Sequence, residues 1–241
     1  GQFVGEPLAA PYKKQADDPH FSKVVFLSHM NGANGNRTFN DIKGHLLTAL
    51  GDSKISSLFY KFSGASGYFD GAGDSVVAAD SPDFSLGAED FTIELWWNPA
   101  TTAQLSTTVL AAQGVAGRPA ESAWWLEPRN TDGKDLTFYA AVGASYKTAT
   151  VENHGMTAGN WYHIAVVRFG TAMKIYINGV DRTTRTTLIS EPLNDSAANL
   201  SIGAVKSSFG ANGYIDEFRM TKGVARYKTN FASPTAPFPD K

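Results

Sequence analysis

Residues 161–179 read W-Y-H-I-A-V-V-R-F-G-T-A-M-K-I-Y-I-N-G, and this stretch decides the fold. Its first half, 161–169, is rich in β-branched and aromatic residues and predicts a strand. Lys174–Ile177 predicts the return strand, because its isoleucines alternate with Lys and Tyr. Asn178-Gly179 then predicts a tight hairpin turn, since Asn and Gly accept the positive φ angles that such a turn requires. The stretch therefore predicts an antiparallel sheet.

Similar apolar and alternating runs recur at intervals of about ten residues, which is the pattern of an all-β sandwich. The clearest run is Phe91–Asn98, in which every second residue from Phe91 to Trp97 is apolar. Long helical periodicity is absent. The other predicted strands are Val24–Met30, Phe59–Phe69, Ser75–Ala79, Val109–Gln113, Trp124–Arg129, Leu136–Ala141, Lys147–Glu152 and Tyr214–Met220.

Several motifs occur in the order that one family of domains shows. They are F-D-G-A-G-D-S-V at 69–76, D-F-T-I-E-L-W at 90–96, W-Y-H-I-A-V-V-R at 161–168, I-Y-I-N-G at 175–179 and Y-I-D-E-F-R at 214–219. Through these motifs, residues 21–230 resemble the laminin-G-like, concanavalin A-like lectin/glucanase domains. The resemblance implies a two-sheet antiparallel jelly-roll sandwich whose first and last strands pair.

The end of the chain, T-K-G-V-A-R-Y-K-T-N-F-A-S-P-T-A-P-F-P at 221–239, is similar to the C-termini of such domains in tailed-bacteriophage proteins. That resemblance implies a protein of the virion surface, assembled in the host cytoplasm. It also implies contact with other virion proteins and a homo-oligomer of unspecified size.

The two ends of the chain are rich in proline. Residues 1–20 contain Pro7, Pro11 and Pro19, which break helices and inner strands. We expect 1–20 to be an extended arm that anchors the protein to other virion proteins. Residues 21–241 are expected to form one sandwich, with an extended proline-rich tail from about residue 233.

Composition excludes several classes of protein. The 241 residues carry 21 basic and 23 acidic side chains, a formal net charge of −2, which argues against a nucleic-acid binder. Cysteine is absent, so no disulfide framework exists. No apolar run reaches the ~18 residues of a membrane helix, so we expect no membrane insertion.

No catalytic constellation is predicted, so we expect a protein that is not an enzyme. Glucanases of this fold carry two carboxylates on one strand, whereas Glu94 is the one acidic residue of the predicted strand Phe91–Asn98. Asp216 and Glu217 are adjacent, so regular strand alternation would put them on opposite faces. His163 is expected to be a buried packing residue.

Calcium is the one cofactor considered, as a structural ion. Asp70 and Asp74 flank glycines that free backbone carbonyls, and Asp216 belongs to the I-D-E motif, so these three are the candidate ligands. The alternative is that Asp70 and Asp74 accept hydrogen bonds from turn N–H groups, and that Asp216 pairs with an arginine or a backbone amide.

Large aromatic residues are the candidates for sugar stacking. Only one tryptophan of each adjacent pair, 96/97 and 124/125, can face the core, so the outward one is expected to be exposed or covered by another subunit. The candidate carbohydrate-binding residues are Trp96, Trp124 and Tyr146. Sugar stacking and subunit packing both remain open for them.

The functional hypothesis is a non-enzymatic phage virion protein, either a capsid decoration or a head or tail fibre component. The alternative is a carbohydrate-binding adhesion module that recognises a host surface glycan.

Overall fold

The computed structural model describes residues 17–101, 108–115, 117–129, 134–205 and 210–241. Over these ranges the chain forms two antiparallel β-sheets and three short 3₁₀ helices. None of the helices in the described ranges is long and apolar enough to cross a membrane. The strands are β1 Val24–Ser28, β2 Leu47–Leu50, β3 Lys54–Ser56, β4 Ser66–Asp70, β5 Ser75–Ala78, β6 Phe91–Pro99, β7 Ala111–Gln113, β8 Trp124–Arg129, β9 Asp135–Val142, β10 Ser145–Val151, β11 Tyr162–Phe169, β12 Ala172–Ile177, β13 Val180–Asp181, β14 Arg185–Thr186, β15 Leu200–Ile202 and β16 Asn212–Lys222.

The strands form two sheets that enclose the core. In sheet 1 the order is β13-β12-β11-β6-β16-β4-β3, and β1 also pairs with β16. In sheet 2 the order is β14-β10-β9-β8-β7-β15-β5-β2. The predicted all-β, two-sheet antiparallel sandwich is therefore confirmed, as is the pairing of the first strand with the last.

The core follows the predicted alternation along β6. Phe91, Ile93, Leu95 and Trp97 all belong to the main cluster of buried apolar side chains. The neighbouring strand β11 contributes Ile164, which lies opposite Leu95, and Val166, which lies opposite Ile93, to the same core. The Asn178-Gly179 turn between β12 and β13 has φ angles of 50° and 77°, as the sequence predicts.

A β-bulge in β16 changes which side chains face outward. The register moves from Asp216 opposite Trp96 to Arg219 opposite Glu94, so one extra residue is inserted in β16. Glu217, at the bulge, has a φ of 54°. Ile215 and Phe218 both lie in the core. Asp216 and Glu217 therefore both lie on the outer face, and the expectation of opposite faces is wrong.

The predicted strand at Phe59–Phe69 is wrong in its first part. Residues 57–65 form bends and turns, and β4 begins only at Ser66. The cause is a tertiary contact, because the Asp216 carboxylate accepts hydrogen bonds from the backbone N–H groups of Lys61 (2.9 Å) and Phe62 (3.1 Å). We call residues 57–65 the covering loop, since they lie over the outer face of sheet 1.

The C-terminal segment 223–241 packs along the same outer face without regular secondary structure. Tyr227 and Phe231 stack in parallel with ring centroids 3.5 Å apart, and Phe238 is only 3 % exposed. Asp18 is buried and its backbone N–H donates to the carbonyl of Lys241 (2.7 Å). Asp18 therefore packs with the sandwich, although the sequence predicts that the sandwich begins at residue 21. Residues 1–16 of the predicted arm lie outside the described residues.

Two glycines allow the packing of the C-terminal segment to be measured. Gly179→Ala would place a Cβ 2.0 Å from the Phe231 carbonyl oxygen, whereas a Cβ at Gly170 meets nothing within 4 Å. Both have positive φ, 77° and 59°, so each alanine costs about 1 kcal/mol of backbone strain. We expect Gly179→Ala to cost about 2 kcal/mol more than Gly170→Ala in urea unfolding. Equal costs would show that the segment is not packed against the β12–β13 turn.

Candidate functional site

A groove on the outer face of sheet 2 encloses about 580 Å³ and is open to solvent. Strands β9, β10 and β14, together with Thr187 directly after β14, form its floor and walls. We call it the sheet-2 groove. Its lining consists of five threonines, two tyrosines and two charged residues, namely Thr137, Thr148, Thr150, Thr186, Thr187, Tyr139, Tyr146, Asp135 and Arg185.

Strand alternation explains why polar residues line this groove. Leu136, Phe138 and Ala140 of β9 lie in the core, so the residues between them point outward. Thr137 lies opposite Thr150 of β10, and their hydroxyl oxygens are 3.2 Å apart. The register therefore brings hydroxyl groups from adjacent strands into one row.

Three aromatic rings form one end of the groove. Trp125 and Tyr139 stack with centroids 4.6 Å apart and an interplanar angle of 8°. Tyr146 stands edge-on to both rings, at 5.9 Å and 5.2 Å. Trp125 and Tyr139 are buried, whereas 46 % of Tyr146 is exposed. Tyr146 is thus a supported ring that remains accessible.

Charged residues lie at the other end of the groove. Arg185 lies opposite Thr150 and forms an exposed ion pair with Glu152, whose Oε1 is 3.0 Å from the arginine Nε. An Asp135 carboxylate oxygen accepts a hydrogen bond from the backbone N–H of Asn153 (3.1 Å). The exposed Arg185–Glu152 ion pair contributes little to stability, so Arg185 can exchange its partner at low cost.

Trp124, a predicted sugar-stacking residue, is in the wrong place for that role. It is fully buried in the core, where it packs against Phe138 at a centroid distance of 6.0 Å. Trp125 is the tryptophan that faces outward, and Tyr139, Val109 and Val205 cover it. The sequence indicates this orientation, because strand alternation places the polar Glu127 on the same face as Trp125 and the apolar Leu126 on the same face as Trp124.

Trp96, the second predicted stacking residue, faces outward but is only 3 % exposed. Phe62 of the covering loop stands edge-on to it at 5.7 Å, and the Lys61 Nζ lies 4.1 Å from its ring centroid. The expectation that the outward tryptophans are exposed or covered by another subunit is therefore wrong, since this chain covers both. Of the three predicted residues, Tyr146 alone is accessible.

The predicted calcium ligands do not come together as one group. Asp70 and Asp74 lie with Asp52, whose carboxylate the sequence did not suggest, and one oxygen from each lies within 4.8 Å of the others. Asp216 is four residues along β16 from Asn212, the partner of Asp70, and it holds the covering loop instead. Asp216 therefore belongs to a different site.

Backbone N–H groups already donate hydrogen bonds to two of the three clustered aspartates, Asp70 and Asp74. The buried Asp74 carboxylate accepts hydrogen bonds from the backbone N–H groups of Asp52 (2.7 Å) and Asp70 (2.9 Å). An Asp70 oxygen accepts one from Ala72 (2.7 Å). Burial raises the pKa of Asp74, and these two amide bonds oppose that rise. Asp70 and Asp74 thus accept hydrogen bonds from turn N–H groups, an arrangement that leaves the calcium prediction open.

Asp216 is a buried acid with an unusual environment. Burial and the neighbouring Glu217 charge raise its pKa to about 8, although the amides of Phe62 and Lys61 favour the ionised form. Its Oδ1 has no hydrogen-bond partner. It holds the covering loop in place and is not accessible to a substrate.

Charged side chains lie buried between sheet 1 and the C-terminal segment. One Glu94 oxygen accepts hydrogen bonds from Arg219 Nε (3.0 Å) and Nη2 (2.8 Å). The other accepts from the Tyr227 hydroxyl (2.9 Å) and lies 3.1 Å from His163 Nε2. Burial alone would raise the pKa of Glu94, but Arg219 and His163 hold it well below the ordinary value. His163 is fully buried, as expected.

The same group of charges includes residues from both ends of the described chain. Asp18 accepts hydrogen bonds from Arg219 (3.1 Å) and from both terminal nitrogens of Arg226 (3.0 and 2.7 Å). Phe238 covers the Arg219 guanidinium at 3.8 Å. With Glu94, the group holds two acids and two arginines, so its formal charges balance. A pocket of about 350 Å³ lies beside this group, lined in part by Asp18, Arg219 and Arg226.

A second ionic contact holds the end of the chain. His29 Nδ1 lies 2.8 Å from the buried Glu217 carboxylate, and its Nε2 lies 2.6 Å from Asp240. Glu217 also accepts the backbone N–H of Phe238 (2.8 Å). Burial lowers the pKa of His29, but the two carboxylates outweigh it and raise the pKa to about 9.

The family follows from these observations and from a direct comparison. The family model described as "Concanavalin A-like lectin/glucanases superfamily" matches residues 70–225. The chain belongs to this family. No curated protein sequence is significantly similar to the chain.

Solved structures share the fold at low sequence identity. Domain 4 of AbnA, a GH43 extracellular arabinanase from Geobacillus stearothermophilus in complex with arabinotriose, is 16 % identical with a TM-score of 0.60, covering 84 % of this chain and 94 % of that one. The binding domain of Paraclostridial Mosquitocidal Protein 1 is 12 % identical with a TM-score of 0.63, covering 84 % and 49 %. The botulinum neurotoxin serotype D binding domain is 11 % identical with a TM-score of 0.61, covering 85 % and 49 %. The chain thus spans about half the length of these toxin domains.

His29 gives a pH-dependent test of the C-terminal contact. Because its folded pKa of about 9 lies above the ordinary 6.5, its stabilisation is fully present below pH 6.5 and is lost as the pH rises through 9. At pH 6 we expect His29→Gln to lower the free energy of unfolding by about 2 kcal/mol, since Glu217 loses its charged partner. At pH 10 the difference from wild type should largely vanish.

Chemical unfolding at both pH values measures this difference. His20→Gln is the control, because His20 is exposed and its loss should change stability equally little at both. A cost for His29→Gln that does not depend on pH would contradict the ionic contact.

Proposed function

We propose that this chain is a carbohydrate-binding module and that the sheet-2 groove holds the glycan. The observation that carries this proposal is the Tyr146 ring, 46 % exposed and supported edge-on by the stacked Trp125–Tyr139 pair, beside a row of threonine hydroxyls. An aromatic ring binds the apolar face of a sugar, and hydroxyls both donate to and accept from sugar hydroxyls.

The lining favours binding over hydrolysis. A glycosidase needs two carboxyl groups about 5 to 9.5 Å apart across the scissile bond. Asp135 is the one carboxylate among the described residues that line the groove. We therefore propose a protein that is not an enzyme, in which Asp135 and Arg185 accept or donate hydrogen bonds at the charged end.

The structural neighbours support a binding role. One is a domain of an arabinanase in complex with arabinotriose, and two are binding domains of toxins. At identities of 16 % or less, these similarities show the fold alone. The proposed function therefore depends on the groove as well. Because the sheet-2 groove is open, it suits an oligosaccharide or an exposed glycan chain on a host cell surface.

We also propose the setting that the sequence resemblance suggests, which is the virion surface of a tailed phage, after assembly in the host cytoplasm. The support is the similarity of residues 221–239 to phage proteins. In this setting the module is a homo-oligomeric capsid or fibre component that contacts other virion proteins. Since Asp18 is buried in the sandwich, the anchoring part of the predicted arm 1–20 is restricted to the residues before it.

Tyr146→Ala tests the groove. We expect it to weaken binding of a positive oligosaccharide about tenfold, because one ring–sugar contact of about 1 kcal/mol or more is lost. The positive ligand is found on a glycan array that includes arabinotriose, and the affinities are measured by titration calorimetry.

Phe169→Ala is the matched control, since Phe169 is similarly exposed at 48 % but lies at the β11–β12 turn of sheet 1. Both variants should melt close to wild type. If both weaken binding equally, or if no glycan of the array binds, the groove assignment is contradicted.

We further propose a structural calcium ion on Asp52, Asp70 and Asp74, whose oxygens suit this hard cation. Such an ion would join the turn before β3 to the turn before β5.

At calcium concentrations ten times the Kd, the native state should gain about 1.4 kcal/mol, and EGTA should reverse the gain. Asp52→Asn should remove the calcium dependence of Tm. A Tm that calcium and EGTA leave unchanged would show that amide hydrogen bonds alone hold these turns.

A further inference from the structure

Four outward side chains form one row across sheet 1, at the end that the C-terminal segment does not reach. They are Lys54 of β3, Tyr68 of β4, Tyr214 of β16 and Asn98 of β6, and we call them the tyrosine row. The next residue in β3, β4 and β16 and the preceding residue in β6 all lie in the core, namely Ile55, Phe69, Ile215 and Trp97. Alternation therefore points the four row residues outward.

The strand register makes the row continuous. Lys54 lies opposite Tyr68, Tyr68 opposite Tyr214, and Tyr214 opposite Asn98. Three spacings of about 4.8 Å give the row a length of about 14 Å, enough for a short oligosaccharide.

The rings of the row contact each other and one loop residue. The Tyr68 and Tyr214 centroids are 5.2 Å apart, and Phe59 of the covering loop lies 5.1 Å from Tyr214. The Lys54 Nζ lies 5.3 Å from the Tyr68 centroid. Phe59 is 51 % exposed, and the two tyrosines are half-buried. The result is a connected set of rings that is supported from below and open from above.

This end of the face differs from the rest of sheet 1. The Glu94 region is covered by the C-terminal segment, and Trp96 is covered by the covering loop. Over Tyr68 and Tyr214 the covering loop contributes the half-exposed Phe59, which contacts Tyr214, so these rings remain partly open to solvent.

Asn98 supplies a polar group with no partner. Its side chain is 2 % exposed, and its buried amide nitrogen has no hydrogen-bond acceptor among the described residues. An unpaired buried donor costs about 1–3 kcal/mol, and a ligand hydroxyl offsets this cost once the Asn98 side chain turns outward to meet it. A ligand with hydroxyl groups beside an apolar face matches both Asn98 and the neighbouring rings.

The local charge selects against anions. Asp70 lies in β4 two residues from Tyr68, and Asp52 and Asp74 lie with it. Burial raises the pKa of Tyr68, and the charges of these acids raise it further. Lys54 contacts the row as a cation, so the acids outnumber it without calcium, and with the proposed calcium ion the formal charges of the three acids, Lys54 and the ion sum to zero. A neutral ligand therefore fits this surface better than a phosphate or an acidic sugar.

We infer that the tyrosine row is a second carbohydrate-binding site, for a neutral glycan that lies along Tyr68 and Tyr214 with its hydroxyls towards Asn98. The site is on the opposite side of the sandwich from the sheet-2 groove and stands independently of it. Two sites on opposite faces would let one domain bind two glycan chains or two parts of one polymer, which raises the overall affinity for a polysaccharide.

Native affinity electrophoresis through gels that contain linear arabinan, laminarin or hydroxyethyl cellulose tests both sites on the full chain. In a Tyr146→Ala background, we expect Tyr214→Ala and Phe59→Ala each to raise the apparent Kd for the retarding polysaccharide about tenfold or more. Tyr214→Phe, which keeps the ring, should preserve most of the binding. Tyr60→Ala is the control, because Tyr60 is 48 % exposed on the same loop but lies outside the stacked rings.

The outcomes separate the two proposals. If Tyr214→Ala and Phe59→Ala have no effect in the Tyr146→Ala background, the tyrosine row is not a glycan site. If Tyr146→Ala alone has no effect while Tyr214→Ala abolishes retardation, the groove fails and the row stands. If no polysaccharide retards the wild type, or if Phe59→Ala instead dissociates a dimer in sedimentation, the second carbohydrate site is overturned. Melting curves identify any variant that does not fold, and Phe59→Ala, at an exposed position, keeps the test decisive if Tyr214→Ala unfolds.

Discussion

The buried ion pair between Glu94 and Arg219 is the interaction on which the outer face of sheet 1 depends. The two residues lie opposite each other on β6 and β16, the central strands of that sheet, and both are buried. A buried charge left without its partner costs about 3–5 kcal/mol, so the chain must keep the pair complete. Asp18, Arg226 and Tyr227 complete it, and they draw both ends of the described chain onto the sheet.

This constraint divides the surface of the sandwich. Over the Glu94 region, the C-terminal segment covers the outer face of sheet 1 and buries its side chains. The covering loop does the same over Trp96, held by the Asp216 carboxylate. No segment within the described ranges covers Tyr146 in this way, so the groove on the outer face of sheet 2 is open. The buried charges thus lie under the C-terminal segment, whereas the groove and the tyrosine row lie outside it.

The sequence predicts the fold better than the site, and particular residues show why. Alternation along Phe91–Trp97 and the Asn178-Gly179 turn depend on local geometry, so both are correct. Alternation also predicts which of Trp124 and Trp125 faces outward, because the polar Glu127 lies on the same face of the strand as Trp125. The cover over Trp96 could not be predicted, because it depends on a loop that Asp216 holds from 154 and 155 residues away along the chain. The bulge at Glu217 had a weak signal in I-D-E-F, where two polar residues separate two apolar ones.

Hydrogen–deuterium exchange with and without an oligosaccharide bound in the sheet-2 groove most directly tests the account that the groove binds glycan while the C-terminal segment covers the buried charges of sheet 1. The account predicts that the glycan slows exchange in β9, β10 and residues 184–187. It predicts no change in residues 223–241, whose amides should already exchange slowly where they pack on sheet 1. Protection by the glycan centred on 223–241, or fast exchange of the Phe238 amide in the free protein, would contradict it.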